Sequence, residues 1–176
     1  AGISLKSKAV LDGRNAEDAE KLMKNAGLVI FAGGHIPTQN AFFRRVDMKR
    51  LIHGYDGVLI GISAGTMNSA RIVYSHPERE GEAASKDFVR FFDGLGLTEI
   101  EVIPHYQLIK GTTLDGMRLF EDVAYPDSFT HELHVFPDGT YIYIDGDHQE
   151  IRGEAYLIRD GVFEKISDDG ETVRIK

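Results

Sequence analysis

Short apolar runs alternate with segments of helical spacing in the first part of the chain. The runs lie around Ala9–Leu11, Leu28–Ala32 and Val58–Gly61. Continuous apolar runs are typical of strands that are buried on both faces of a parallel sheet. The intervening segments are long enough to form the helices that cover such a sheet. The pattern therefore predicts the α/β class, with a parallel sheet between helices.

Three segments have the spacing and the end signals of helices. Asn15 is a typical N-cap for a helix that continues to Asn25, and acidic residues occupy its first turn. We expect a second helix to begin at Thr38 and a third to cover about 113–123. These helices would alternate with the apolar runs along the chain.

The rest of the chain changes pattern twice. A polar, acidic loop, YSHPEREGEAASKDF, precedes an alternating strand that ends at Pro104. Residues of about 131–166 indicate short strands and hairpins, which are joined by PDG, DGD and RDG turns. Length and the absence of repeats favour a single domain over 1–176.

Composition excludes several classes of protein. The 176 residues carry a formal net charge of -8, which argues against a general affinity for nucleic acid or anionic lipid. The chain has no cysteine, so a disulfide, a thiolate metal site and a cysteine nucleophile are excluded. No apolar run approaches the roughly 20 residues of a membrane span. We expect a cytoplasmic protein without metal or cofactor.

The segment VLIGISAGTMNSA contains the pattern G-x-S-x-G at Gly61, Ser63 and Gly65. In a nucleophile elbow a strand turns sharply into a helix, and the serine side chain is exposed above the sheet edge. Small neighbours are needed there for steric reasons, although many strand-to-helix turns use them only to bend the chain. The apolar run before the corner and the helical pattern after it favour the elbow.

A serine nucleophile needs a base, which is usually a histidine oriented by a carboxylate. His105 directly follows the strand that ends at Pro104, where a parallel sheet has its functional edge. His35 lies at a comparable edge and is the second candidate. For the carboxylate, the acidic loop offers three candidates between the serine and the histidine, namely Glu78, Glu80 and Glu82.

The segment AGGHIPTQNAFF supplies candidate donors for an oxyanion. Gly33 and Gly34 follow a buried strand, so their backbone can approach a ligand closely. An N–H group from this turn, together with that of Ala64, would form an oxyanion hole. The plain alternative is an ordinary turn between a strand and a helix.

Several quoted segments together resemble one family, in the order AGGHIPTQNAFF, GISAGTMNSA, an acidic loop, GLGLTEIEVIPHYQ and FPDGTYIYIDG. This order resembles the peptidase E, or α-aspartyl dipeptidase, family of serine peptidases, to which cyanophycinases are similar. The resemblance implies a three-layer, parallel-sheet fold like that of the class I glutamine amidotransferases (flavodoxin-like), with serine in place of their cysteine. By the same resemblance, we expect the chain to lack the family's first strand and helix.

The resemblance also assigns roles by position. Ser63 matches the nucleophile and His105 the base, and Gly34 and Ala64 match the oxyanion donors. The family's acid falls within HPEREGEA, where Glu80 is favoured by spacing and its two neighbouring glutamates remain alternatives.

Substrate contacts are implied in the same way. Family members that prefer an N-terminal aspartate bind its carboxylate with an arginine after the histidine motif, and Arg118 lies near that place, with Lys110 as an alternative. His35 is a further candidate for substrate binding. We therefore expect a serine dipeptidase that acts on short peptides through an acyl-enzyme, and the oligomeric state leaves a homodimer open. The alternatives are a catalytically inactive binding protein of the amidotransferase-like fold and, ranked lower, an α/β-hydrolase esterase.

Overall fold

The computed structural model describes residues 4–175. Two compact units make up the structure, residues 1–65 and residues 66–176. Each unit has its own internal contacts and is described separately below. The expectation of a single domain stays a prediction.

The helices are short. They are α1 (Ala19–Asn25), α2 (Ile36–Arg45), α3 (Met48–Ile52), α4 (Ala64–Ser69), α5 (Tyr106–Ile109) and α6 (Tyr125–Asp127). A 3₁₀ turn at Ala16–Asp18 leads into α1, and a π-helix at Leu119–Ala124 leads into α6.

The strands are numbered in chain order. They are β1 (Leu28–Phe31), β2 (Val58–Gly61), β3 (Ile72–Tyr74), β4 (Phe91–Asp93), β5 (Glu101–Ile103), β6 (Thr113–Leu114), β7 (Met117–Arg118), β8 (Leu133–Val135), β9 (Tyr141–Asp145), β10 (His148–Arg152), β11 (Ala155–Arg159), β12 (Val162–Ser167) and β13 (Thr172–Ile175).

The first unit is built on the parallel pair β1 and β2. Their register places Phe31 opposite Gly61, so both strands end at the same edge. Phe31 is buried and lies against Phe43 of α2, with ring centroids 5.0 Å apart. The apolar spacing of α2 therefore covers one face of the pair, and the turns that follow the two strands meet at one edge.

The second unit contains a mixed sheet in the order β12-β11-β8-β5. Strands β5 and β8 run parallel and pair Ile103 with Val135, whereas β8, β11 and β12 pair antiparallel. A three-stranded antiparallel sheet has the order β13-β10-β9. Two-stranded pairs join β3 to β4 and β6 to β7. The buried core of the mixed sheet includes Leu133 and Ile158.

The first apolar run is not a strand, which corrects the prediction for Ala9–Leu11. Val10 is 73% exposed, so burial does not stabilise an extended strand there. The side chain of Asn15 binds this segment instead, since its Nδ2 donates to the Val10 carbonyl at 2.9 Å and its Oδ1 accepts from the Asp12 N–H at 2.9 Å. For the same reason Asn15 makes no side-chain cap on the helix that follows it.

Two helix predictions also need correction. The second helix begins at Ile36 rather than Thr38, with a proline in its first turn, where a missing N–H costs nothing. The segment predicted as a helix over 113–123 contains the hairpin β6–β7, and a π-helix starts only at Leu119. Asp115 and Gly116 have φ of 53° and 79°, as expected for the Asp-Gly turn that joins two strands. The turn preference of this dipeptide outweighed the helical spacing of the apolar residues around it.

The structure confirms a mixed α/β protein with parallel sheet elements. The finer expectation, the amidotransferase-like three-layer arrangement without its first strand and helix, stays a prediction. Among residues 4–175, no helix has the length and apolar character needed to cross a bilayer.

Candidate active site

The serine of the G-x-S-x-G pattern lies between a strand and a helix. Strand β2 ends at Gly61, α4 begins at Ala64, and Ser63 between them has a φ of 54°. A residue other than glycine rarely adopts this left-handed conformation, and strain of this kind concentrates at functional sites. The local geometry is that of a nucleophile elbow.

Position 65, two residues after the serine, requires glycine because β1 lies very close. A Cβ atom on Gly65 would lie 2.0 Å from the carbonyl oxygen of Phe31, which is far inside contact distance. On the other side of the serine, a Cβ on Gly33 would lie 3.3 Å from the Ser63 Cβ and 3.8 Å from its Oγ. The small residues therefore let the turn after β1 pack directly against the serine.

Residues 32–34 form the turn after β1 and are called the oxyanion loop below. Gly34 has a φ of 151°, which a side chain would disfavour. Within residues 4–175, the amides of Gly33 and Gly34 donate no hydrogen bond to another residue. Backbone N–H groups without a protein acceptor beside a serine can bind an oxygen that becomes negatively charged. Ala64, the other expected donor, is the first residue of α4.

His35 follows the oxyanion loop and precedes α2. Its Nδ1 lies 2.8 Å from the Thr38 Oγ1, so the ring is fastened to the first turn of that helix. The structure thus places this predicted substrate-binding residue at the same strand edge as the serine, within the first unit.

The candidate base in the second unit has a carboxylate partner. His105 directly precedes α5 and has a φ of 62°. Its Nδ1 lies 2.6 Å from the Asp138 Oδ1, and the two side chains are 39% and 54% exposed. A carboxylate on Nδ1 fixes the ring orientation and the tautomer of a histidine. Sequence reasoning missed Asp138, because it took the PDG triplet only as a turn.

The topology of the mixed sheet explains how these two residues meet. His105 lies two residues after β5 and Asp138 three residues after β8, and β5 and β8 are parallel neighbours. Parallel strands end at the same edge, so their following loops are adjacent. The Gln107 Oε1 also accepts the Asp138 N–H at 3.0 Å, and this bond fixes the Asp138 loop against α5. The available signal was a Pro-Asp pair directly after an apolar strand.

The acidic loop contains the three glutamates expected to orient His105. The Glu82 Oε2 accepts the N–H groups of Glu78 and Arg79 at 2.8 and 3.0 Å, so it closes the loop on itself. Glu80 is exposed. Their assignment to the histidine stays a prediction, while the carboxylate found on Nδ1 is that of Asp138.

A second carboxylate fastens the acidic loop from outside. The two Asp115 oxygens accept the N–H groups of Gly81 and Ala84 at 2.7 and 3.1 Å. These bonds stabilise the ionised carboxylate and lower the pKa of Asp115. The turn of the β6–β7 hairpin therefore holds the loop.

His76 begins the acidic loop and is buried. Burial lowers its pKa, and the positive charge of His105 acts in the same direction, while the Pro77 carbonyl and two loop glutamates oppose the shift. The lowered pKa favours the neutral form of the His76 imidazole. Its burial favours a structural role at the base of the loop.

Comparison with known proteins identifies the family. The sequence model of peptidase family S51 matches residues 12–152. The chain belongs to peptidase family S51. Membership makes it a peptidase, and therefore a hydrolase, by class. No curated protein is detectably similar to it in sequence.

One solved structure supports the fold of this S51 chain. It is similar to a peptidase from an acI-B1 Actinobacterium, with a TM-score of 0.65 and 20% identity over 94% of this chain and 67% of that one. A protein of Listeria monocytogenes EGD-e named as peptidase E is similar over 91% of this chain and 65% of that one, with 15% identity and a TM-score of 0.48. The chain thus spans about two thirds of the length of both.

Arg118, the candidate for binding a substrate carboxylate, is already paired in this S51 chain. Its Nε and one terminal nitrogen lie 2.9 and 2.8 Å from the two oxygens of Asp122. This pairing lowers the pKa of Asp122 to about 2, so the carboxylate remains charged at neutral pH. A substrate carboxylate would have to compete with Asp122 for the same guanidinium.

No cluster of metal-binding side chains is present in the part of the chain that the structure describes. Residues 4–175 contain no group of three or more histidine, aspartate or glutamate side chains arranged to hold an ion.

Proposed function

We propose that the chain is a serine peptidase of short peptides in which Ser63 is the nucleophile, His105 the general base and Asp138 the carboxylate that orients the base. The observation that carries the base and its carboxylate is the 2.6 Å contact between the His105 Nδ1 and Asp138. The left-handed φ of Ser63 supports the nucleophile. The proposal requires the other ring nitrogen of His105, Nε2, to reach the serine hydroxyl in the working enzyme.

The reaction follows from these roles. His105 takes the hydroxyl proton as the Ser63 Oγ attacks the scissile carbonyl, and the amides of Gly34 and Ala64 stabilise the resulting oxyanion. The tetrahedral intermediate collapses when His105 returns the proton to the leaving amine. Water, deprotonated by the same histidine, then attacks the acyl-enzyme. The bond between the acyl carbon and the Ser63 Oγ breaks, His105 returns the proton to that oxygen, and the second product leaves.

The substrate class is a short peptide without a required N-terminal aspartate. Recognition of that side chain by Arg118 would cost its bidentate pair with Asp122. We therefore expect Asp-Leu and Ala-Leu dipeptides to be cleaved with similar kcat/KM. A selective rise in KM for Asp-Leu in the Arg118→Ala variant would show instead that the arginine binds the substrate carboxylate.

A fluorophosphonate probe tests the nucleophile, because labelling requires an activated hydroxyl. We expect label on Ser63 in the parent and none in the Ser63→Ala variant, which should also lose nearly all hydrolysis of dipeptides. An unlabelled parent that cleaves no peptide would favour the catalytically inactive binding protein.

Paired substitutions test the carboxylate. Replacing the carboxylate that orients a catalytic histidine lowers kcat by about 10⁴ where this has been measured in a Ser-His-Asp triad. We expect Asp138→Asn to lower kcat by a factor of this order, and Glu80→Gln to lower it far less. The reverse ranking would return the role to the acidic loop, and Glu78→Gln and Glu82→Gln would then decide between its other two members.

A further inference from the structure

The oxyanion loop receives a hydrogen bond from the helix that follows it. The Gln39 Nε2 in α2 donates to the carbonyl of Ala32 at 2.5 Å. The bond is not needed to form α2, because the Gln39 backbone N–H already donates to the His35 carbonyl at 3.1 Å. The side chain therefore fixes the loop and not its own helix.

This bond fixes the direction of one peptide group. The described chain has no cis peptide bond, and a trans peptide is planar, so the Ala32 carbonyl and the Gly33 N–H point in opposite directions. Holding the carbonyl toward α2 therefore turns the N–H away from α2. Two consecutive glycines would otherwise leave this peptide free to rotate.

The fixed peptide lies directly against the nucleophile. A Cβ on Gly33 would lie 3.3 Å from the Ser63 Cβ, and the amides of Gly33 and Gly34 donate to no other residue among those described. Donors that bind a developing oxyanion accelerate catalysis only if they are already oriented, since reorienting them during the reaction costs free energy. All of these residues belong to the first compact unit.

We propose that Gln39 is a positioning residue of the oxyanion loop, whose side-chain amide orients the Ala32–Gly33 peptide against Ser63 and thereby fixes the start of the turn that carries the Gly34 donor. This inference rests on the proposed serine-peptidase function and adds a residue to it. In this role Gln39 acts through the backbone of the loop.

The test replaces the donor and preserves the shape. Gln39→Met keeps the length of the side chain and removes the amide. Loss of a whole oxyanion donor costs about 10²–10³ in kcat, so loss of its positioning should cost about tenfold or more. We expect kcat to fall by that factor with little change in KM. Affinity for a peptide boronic acid, which becomes tetrahedral on the serine, should fall in parallel.

Asn25→Leu is the matched control. The Asn25 Nδ2 donates to the Lys21 carbonyl at 2.7 Å in α1 of the same unit, so the control also removes an amide bound to a backbone carbonyl. We expect parental kcat and parental boronate affinity. Equal kcat and boronate affinity in Gln39→Met and the parent would overturn the inference.

The hydrogen bond of the Gln39 side-chain amide can also be measured in the parent protein, so this test does not depend on the stability of a variant. The Gln39 side-chain amide protons should show a separate, downfield-shifted and slowly exchanging resonance in a ¹⁵N correlation spectrum, assigned by its loss in Gln39→Met or by through-bond connection to the Gln39 backbone. Averaged, rapidly exchanging side-chain protons would overturn the inference. If the parent instead neither hydrolyses peptides nor labels with fluorophosphonate, the proposed function fails and the inference falls with it.

Discussion

His134 makes the stability of the second unit depend on pH. This residue lies in β8, and burial lowers its pKa from 6.5 to about 4. The nearby negative charge of Glu132 opposes the shift, and the positive charge of Arg159 adds to it. Its Nδ1 is buried without a hydrogen-bond partner among the described residues. The folded protein therefore holds this imidazole neutral at pH values where the unfolded chain protonates it.

The sign and size of the pH effect on stability follow from the difference between the folded and unfolded pKa values of His134. Because the folded pKa is depressed, the unfolded state binds more protons between pH 6.5 and about 4, and stability falls as pH falls through this window. One pKa unit corresponds to about 1.36 kcal/mol, so the full effect is about 3 kcal/mol. Between pH 7 and pH 4.5 the His134 contribution should be about 2 kcal/mol of the free energy of unfolding.

The assay is urea unfolding followed by far-ultraviolet circular dichroism at pH 7 and pH 4.5. His134→Leu removes the titration, so this variant should lose about 2 kcal/mol less than the parent between the two pH values. Burial raises the pKa of Asp127 and Glu101, which act in the opposite direction, but both remain in the variant and cancel in the comparison. His53→Leu, at an exposed histidine, is the matched control. Equal losses in the parent and His134→Leu would refute the reasoning.

Three further substitutions test local structure. Gly65→Ala places a Cβ 2.0 Å from the Phe31 carbonyl oxygen, and we expect at least about 1–3 kcal/mol of destabilisation by urea unfolding, which is the cost of overpacking. Tyr74→Phe removes a 3.0 Å hydrogen bond to the buried Asp127 carboxylate and should cost about 1–3 kcal/mol; a neutral result would show that the bond contributes nothing net. Asp115→Ala leaves two amides of the acidic loop without their acceptor, so limited proteolysis should cut that loop faster than in the parent.

The part of the candidate site around Ser63 could be predicted from the sequence because each signal for it comes from neighbouring residues. The corner at Ser63 depends on neighbouring residues, and the strand-to-helix pattern around it was correct. The prediction of a strand at Ala9–Leu11 was wrong because an apolar triplet does not indicate whether a partner strand exists. The prediction of a helix over 113–123 was wrong because one Asp-Gly pair favours a hairpin turn more strongly than the spacing of apolar residues favours a helix.

Asp138 was missed for a different physical reason. Its contact with His105 joins positions 33 residues apart in sequence. It depends on β5 and β8 being neighbours in the sheet, and single-sequence periodicity gives strand type but not strand order. Gln39 was also not recognised, since a glutamine on a helix is commonly exposed, and only the position of the Ala32 carbonyl gives its amide a role.

Both proposed reacting residues have a left-handed backbone conformation, and for Ser63 this conformation is unusual. Five described residues other than glycine have a positive φ: Asp47, Ser63, His105, Asp115 and Asp160. Asparagine and aspartate tolerate this conformation because their short polar side chains bond locally, and the three aspartates need no further explanation. Histidine is also enriched in this region, whereas serine is not, and a strained conformation of this kind costs of order 1–3 kcal/mol. Both lie within two residues of a strand end, as the roles proposed for them require.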